Sequence, residues 1–215
     1  MACSSRRTIL LTLAMLAAAR PGHAAQLTAA DRADLARIET YLNGVRTLKA
    51  RFLQIAPDGA TSEGVAWIDR PGKLRFEYDP PSPLLLIVGY GVGFLIDRQL
   101  QQTNNFPVVS SPLSIFLSEK VTFSGDIAVD AVMRQPGQIQ VTVHQAKSSG
   151  DGKLTLVFAD QPLALRQWAV LDAQQRETRV SLFNVELGGT FDPKLFQNAD
   201  AGNRYSPLPG PKSNN

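Results

Sequence analysis

The stretch Asp69-Arg70-Pro71-Gly72-Lys73-Leu74-Arg75-Phe76-Glu77-Tyr78-Asp79-Pro80-Pro81 (residues 69–81) sets the reading of the whole chain. From Lys73 to Tyr78 the polar residues Lys73, Arg75 and Glu77 alternate with the apolar residues Leu74, Phe76 and Tyr78. That two-residue period belongs to a strand with one wet and one buried face. The Pro71-Gly72 corner before it fits a type II turn, with Pro fixing φ at the second position and Gly supplying the positive φ of the third. Pro71 also biases Arg70 towards extended geometry. Carried forward from Thr61, strand parity puts Arg70 on the face of Ala66 and Ile68, so an arginine ends an apolar stripe. Such a residue can snorkel, its stem covering apolar surface while its head stays wet. It can also have a buried task.

Outward from this stretch the same pattern repeats. Strands are expected at residues 48–55, 61–69, 73–78, 84–88, 94–104 with an interruption, 128–134, 138–145, 154–159, 163–171 and 177–187. Turn signals separate them: Pro57-Asp58-Gly59, Pro80-Pro81-Ser82-Pro83, Pro136-Gly137 and Ser149-Gly150-Asp151-Gly152. Connections this short leave no room for parallel crossovers, so the sheet is antiparallel and curls into a barrel or part of one. Two helices stand apart. Residues 28–43 place Leu35, Ile38 and Leu42 on one face, with Thr28 as N-cap, Asp31 in the capping-box position and Gly44 as the stop. At Ser111-Pro112-Leu113, Ser111 can cap and Pro112 suits the first helical position, and Leu113, Phe116 and Leu117 share a face. That short helix is either ordinary core packing or a lid over the open mouth of the sheet.

The N-terminus reads as an export signal over residues 1–24. Arg6 and Arg7 precede an apolar run from Thr8 to Ala19, and Gly22-His23-Ala24 offers a small-residue cleavage site. The run would span only ~18 Å as a helix, against a hydrocarbon core of about 30 Å. Ser5-Arg6-Arg7-Thr8 resembles a twin-arginine signal, and the general secretory route stays open beside it. The sole cysteine, Cys3, precedes the run, so cleavage leaves neither a disulfide nor a lipidation site. Of 22 basic residues, removal of Arg6, Arg7 and Arg20 leaves 19 against 19 acidic ones. The net charge of +3 thus belongs to the signal, and the main argument for a nucleic-acid or anionic-membrane partner goes with it. Residues 25–198 form one domain, and the Pro-, Asn- and Gly-rich residues 199–215 are expected to be a disordered tail.

Enzyme chemistry finds little support. After the signal the chain holds one histidine, His144, and no cysteine, which disfavours zinc, haem and thiolate chemistry. There is no G-x-S-x-G elbow and no H-E-x-x-H. Gly89-Tyr90-Gly91-Val92-Gly93 lies between two strands and reads as a hairpin turn, not a phosphate loop. His144 shares the polar parity of Gln140 and Thr142 and is expected to face solvent. No cofactor is expected.

Taken together, Phe52-Leu53-Gln54, Gly64-Val65-Ala66-Trp67-Ile68, the stretch from Arg70 to Tyr78, Pro83, Gln102 and Ser111-Pro112-Leu113 give the chain a resemblance to the LolA family of periplasmic outer-membrane lipoprotein carriers. It runs with decreasing strength from Thr28 to about Phe196. The resemblance implies a mainly β (α+β) fold: an unclosed antiparallel β-barrel of about ten to eleven strands, with an N-terminal helix and short lid helices over a hydrophobic cavity. It implies that Arg70 latches the lid by bonding to its backbone. Phe52, Trp67, Leu74, Phe76 and Tyr78 would line the acyl cavity, with Leu113, Phe116 and Leu117 in the lid. It further implies a monomeric, non-enzymic carrier in the periplasm. Acylated lipoproteins would be the cargo, an inner-membrane ABC lipoprotein-release complex the donor and an outer-membrane receptor of the LolB type the acceptor. Tyr90-Gly91 and Phe94-Leu95 depart from the family's Asp-Gly-aromatic pattern, which leaves the local cavity shape open. Carriers of other envelope lipids, a lipoprotein sensor and a secreted hydrolase remain as alternatives.

Overall fold

In the computed structural model, which describes residues 27–198, the chain runs α1 (Ala29–Gly44), β1 (Thr47–Ile55), β2 (Thr61–Asp69), β3 (Lys73–Tyr78), β4 (Leu84–Gly89), β5 (Val92–Asp97) and β6 (Gln102–Pro107). A 3-10 turn (Val108–Ser110) and the short α2 (Leu113–Leu117) follow. The chain then forms β7 (Ile127–Gln135), β8 (Gln138–Gln145), β9 (Gly152–Ala159), β10 (Ala164–Asp172), β11 (Glu177–Leu187) and a last 3-10 turn (Pro193–Phe196). The export signal and the tail lie outside the described residues. Among the described residues, no helix is long and apolar enough to cross a membrane.

All eleven strands join one antiparallel sheet in the order β6-β5-β4-β3-β2-β1-β11-β10-β9-β8-β7. Every neighbour is a hairpin partner except β1 and β11, whose pairing joins the two halves of the chain. The end strands β6 and β7 do not pair, so the barrel is unclosed, and the segment between them carries α2. Register shifts at Lys49/Arg51, Val129/Ala131 and Leu165/Gln167 add the local bends by which bulges curl a sheet.

The strand period predicts this sheet closely. Residues 61–69, 73–78, 138–145 and 177–187 are strands end to end, and the interrupted 94–104 segment resolves into β5 and β6 around a turn where Asp97 accepts from the amides of Gln99 and Leu100. Tyr90 and Gly91 form the β4–β5 hairpin turn, both at positive φ. In α1 the capping box forms: Thr28 Oγ1 accepts from Asp31 N and the Asp31 carboxylate from Thr28 N at 2.7 Å. The Thr28 hydroxyl, which also donates to this carboxylate at 2.7 Å, the Thr28 amide and Arg134 hold the Asp31 carboxyl at about 2. Gly44 is not the stop; it is the last helical residue, and Val45, extended at φ −91°, caps the helix. Leu35, Ile38 and Leu42 are buried as their spacing predicts.

Ion pairs then fix α1 to one side of the sheet. Arg134 of β7 meets Asp31 and Asp34, and Arg37 reaches Asp160 between β9 and β10 at 2.8 Å. The Tyr41 hydroxyl accepts from Leu165 N. On the convex side, Leu85, Ile87 and Ile96 form a second, smaller apolar cluster. The last 3-10 turn packs nearby against β3 and β4, with Phe196 buried and Leu195 O accepting from Arg75 Nη1.

Candidate functional site

The concave face of β1, β2 and β3 is built on one register row. Phe52, Gly64 and Tyr78 lie opposite one another across the three strands. A Cβ on Gly64 would stand 2.1 Å from Glu77 O and 2.8 Å from the Phe52 ring, so only glycine lets that ring lie against β2. Phe52 stacks on Phe76 at 4.5 Å and meets Tyr78 edge-on at 5.2 Å. Phe76 reaches Trp168 of β10 at 6.0 Å, and Trp168 reaches Phe116 of α2 at 5.6 Å. A continuous aromatic path thus joins the wall to the short helix. Burial pushes the Tyr78 phenol up to about 12, although the hydroxyl has a partner in Gln54 Oε1 at 2.8 Å.

Of the residues singled out from the sequence, Phe52, Leu74, Phe76, Tyr78, Phe116 and Leu117 are buried in this one core, and Leu113 packs half-buried against it. Trp67 does not join them. Its neighbours Ala66 and Ile68 point inward, so strand alternation puts Trp67 on the convex face, opposite Lys49 and Arg75. The tryptophan of the interior is Trp168, which the sequence reading missed; it lies three residues from Leu165, off the two-residue period, and both face inward because the bulge at Leu165/Gln167 shifts the alternation.

Arg70 is 4% exposed. Its guanidinium donates to main-chain carbonyls on two elements. Nε and Nη2 donate to Ser118 O at 3.1 and 2.8 Å, and Nη2 also to Glu119 O. Nη1 donates to Leu42 O and Val45 O at the end of α1. That end is the negative pole of the helix dipole, a favourable place for a cation. Among the described residues no carboxylate pairs with Arg70, and burial lowers its pKa from the ordinary arginine value. Gly72, at a φ of +71°, donates its amide to Leu117 O at 2.8 Å. The corner thus grips the segment just after α2 twice.

Three further holds were not legible in the sequence. Gln145 of β8 donates from Nε2 to Val109 O at 3.0 Å and to Ser114 Oγ at 2.8 Å, tying the start of the helical segment to the opposite edge of the sheet. Asn43 exchanges two bonds with the backbone of Val121, and Glu39 accepts from Phe123 N. At α2 itself, Ser111 Oγ accepts from Leu113 N, as a cap should, while Pro112 is the N-cap residue with helical angles. A recess of about 460 Å³ opens beside this segment, lined by Ile115, Ser118, Lys120, Thr122, Ser124 and Ile127 among others. The concave wall itself lies under α2.

His144 corrects another expectation. It keeps the parity of the convex face but does not simply face solvent: the side chain is 18% exposed and Nδ1 lies 3.0 Å from Asp130 Oδ1. The bulge in β7 turns Asp130 towards it, and Lys153 Nζ approaches the other carboxylate oxygen at 3.1 Å. Among the described residues, no group of three or more His, Cys, Asp or Glu residues could hold a metal ion.

An unclosed antiparallel sheet, curled round an aromatic interior and capped by a short helix held through backbone bonds, defines the class: an open half-barrel with a helix packed over its concave face. The model of the family described as "Outer membrane lipoprotein carrier protein LolA" matches residues 43–199, and the chain belongs to that family. The chain is 25% identical over 176 residues to an outer-membrane lipoprotein carrier protein of Methylococcus capsulatus, covering 78% of this chain and 84% of that one. A protein of the same name from Dechloromonas aromatica is 29% identical over 174 residues, covering 75% and 81%. Among solved structures, the LolA superfamily protein NE2245 from Nitrosomonas europaea aligns with a TM-score of 0.43 and 8% identity, covering 76% of this chain and 97% of that one.

Proposed function

We propose that this protein carries acylated lipoproteins across the periplasm, taking them from an inner-membrane ABC release complex and passing them to an outer-membrane receptor of the LolB type. The observation that carries this reading is Arg70: a buried cation whose partners are carbonyls of the lid segment and of α1, set beside an aromatic wall. An acyl chain of some sixteen carbons costs on the order of 12 kcal/mol to leave in water at about 0.8 kcal/mol per methylene. A carrier must match much of that and still let go without a nucleotide. Bonds that exist only in the closed, empty state do this, because they offset part of the affinity gained when acyl chains displace the lid. Phe52, Phe76 and Tyr78 supply the wall, and α2 with Leu113, Phe116 and Leu117 is the cover. The protein works as a monomer and catalyses no reaction.

The test is in-cell crosslinking of the tagged protein followed by mass spectrometry of its covalent partners, with Arg70→Leu beside the wild type. Acylated lipoproteins are expected to dominate and to accumulate on Arg70→Leu, which loads but hands on poorly. Recovery of free envelope lipids alone, or of a single signalling protein, overturns the cargo assignment. Phe76→Glu is expected to load less, because it buries a charge in the wall.

A further inference from the structure

Besides the Gln145 bonds at its start, the lid segment is held after α2 by the β2–β3 corner, whose Arg70 also bonds the end of α1, and by side chains of α1 itself. Arg70 and Gly72 tie Leu117, Ser118 and Glu119 to the β2–β3 corner. Asn43 and Glu39, one turn apart on α1, tie Val121 and Phe123 to that helix. The Asn43 amide both donates to Val121 O and accepts from Val121 N, each at 2.9 Å, so it occupies the backbone of Val121 as a neighbouring strand would. Val121 and Phe123 are themselves buried, which adds apolar contact to the same hold. The helix they are tied to is secured to the sheet independently of the lid, by Arg134 with Asp31 and Asp34, by Arg37 with Asp160, and by Tyr41 with Leu165 N.

We infer that Asn43 and Glu39 are positioning residues that form a permanent anchor for the far end of the lid. Resting on the carrier reading above, the division of labour is this: the Arg70 and Gly72 bonds break when the lid opens, while the Val121 and Phe123 bonds persist. The cover then swings about a fixed point near Val121 and returns to the same register on Arg70 when the cargo leaves. Without the anchor, residues 118–123 would become a free loop on opening, and reclosure would have to order them again.

The experiment is residue-resolved amide hydrogen exchange on the full chain, in the absence and presence of palmitate, for the wild type, Arg70→Leu, Asn43→Ala and the conservative Asn43→Asp. In Arg70→Leu, and in the wild type with palmitate, the Gly72 amide is expected to lose protection by about tenfold or more while Val121 and Phe123 keep theirs. Asn43→Ala is expected to reverse the pattern, with Val121 losing about tenfold and Gly72 changing less. Asn43→Asp keeps the acceptor for Val121 N and falls between, a rescue that general destabilisation would not give. Loss of protection at Val121 and Phe123 in step with Gly72 in Arg70→Leu overturns the anchor. If palmitate leaves Gly72 protected in the wild type, it is the carrier reading that fails, and the Arg70→Leu arm still decides the anchor.

Discussion

Two hairpin corners on the same side of the sheet, Arg70-Pro71-Gly72 and Gly89-Tyr90-Gly91, are alike in local chemistry and opposite in use. Each turns on a glycine at positive φ, +71° at Gly72 and +81° at Gly91, and each offers one large side chain. Arg70 is 4% exposed and surrounded by carbonyls of elements distant in sequence, whereas Tyr90 is 87% exposed and itself takes φ +52°. A left-handed conformation costs a non-glycine residue roughly 1–2 kcal/mol, and a Tyr90 ring this exposed buries little to offset it. A corner is a device or a mere connection according to what the rest of the fold lays against it. The turn residues do not say which.

Measurements on the two corners would sharpen that contrast, the tied corner giving the larger effects. Arg70→Leu should lower stability by about 2–4 kcal/mol, since hydrogen bonds to a charged group are worth roughly 1.5–3 kcal/mol each and removal of a desolvated cation offsets part of the loss. Thermal or urea unfolding reads this, and Tyr90→Leu, expected within about 0.5 kcal/mol of wild type, is the matched control. Equal effects at the two corners would break the comparison. Gly64→Ala, in the wall at the other end of the hairpin that the tied corner closes, should cost about 2–3 kcal/mol, because the new methyl group meets backbone and the Phe52 ring.

The wall also predicts an alkaline response. The Tyr78 phenol is pushed up to about 12 by burial, while in the unfolded chain it ionises near its ordinary value of 10. Between those values the unfolded state binds fewer protons than the folded one, so this contribution is full below pH 10 and is lost as pH rises through 12. The loss is on the order of 2 kcal/mol, and Tyr78→Phe should remove the pH dependence. Urea midpoints at pH 9 and pH 11.5 measure it; a midpoint shift that persists in Tyr78→Phe would place the titrating group elsewhere. The smallest effect belongs to the free corner. Tyr90→Asn should raise stability by about 0.5–1 kcal/mol, because asparagine tolerates the left-handed region and little burial is given up. No gain would mean that the Tyr90 ring has a contact that compensates its backbone.

The chain sequence determined the strands, the capped helix and the face of Arg70, because each follows from a period of two or 3.6 residues or from bonds between neighbours three positions apart. Parity even held the answer for Trp67, which alternates against Ala66 and Ile68; the family resemblance, not its position in the strand, suggested the interior. The partners of Arg70 were beyond such reasoning, lying 25 to 49 residues away along the chain at Leu42, Val45, Ser118 and Glu119. So were Asn43, Gln145 and the bulge that turns Asp130 towards His144. A main-chain carbonyl has no residue type, so a hold built on carbonyls leaves no motif at its receiving end. Which carbonyls come within reach is settled only when α1, the sheet corner and the segment after α2 are packed together.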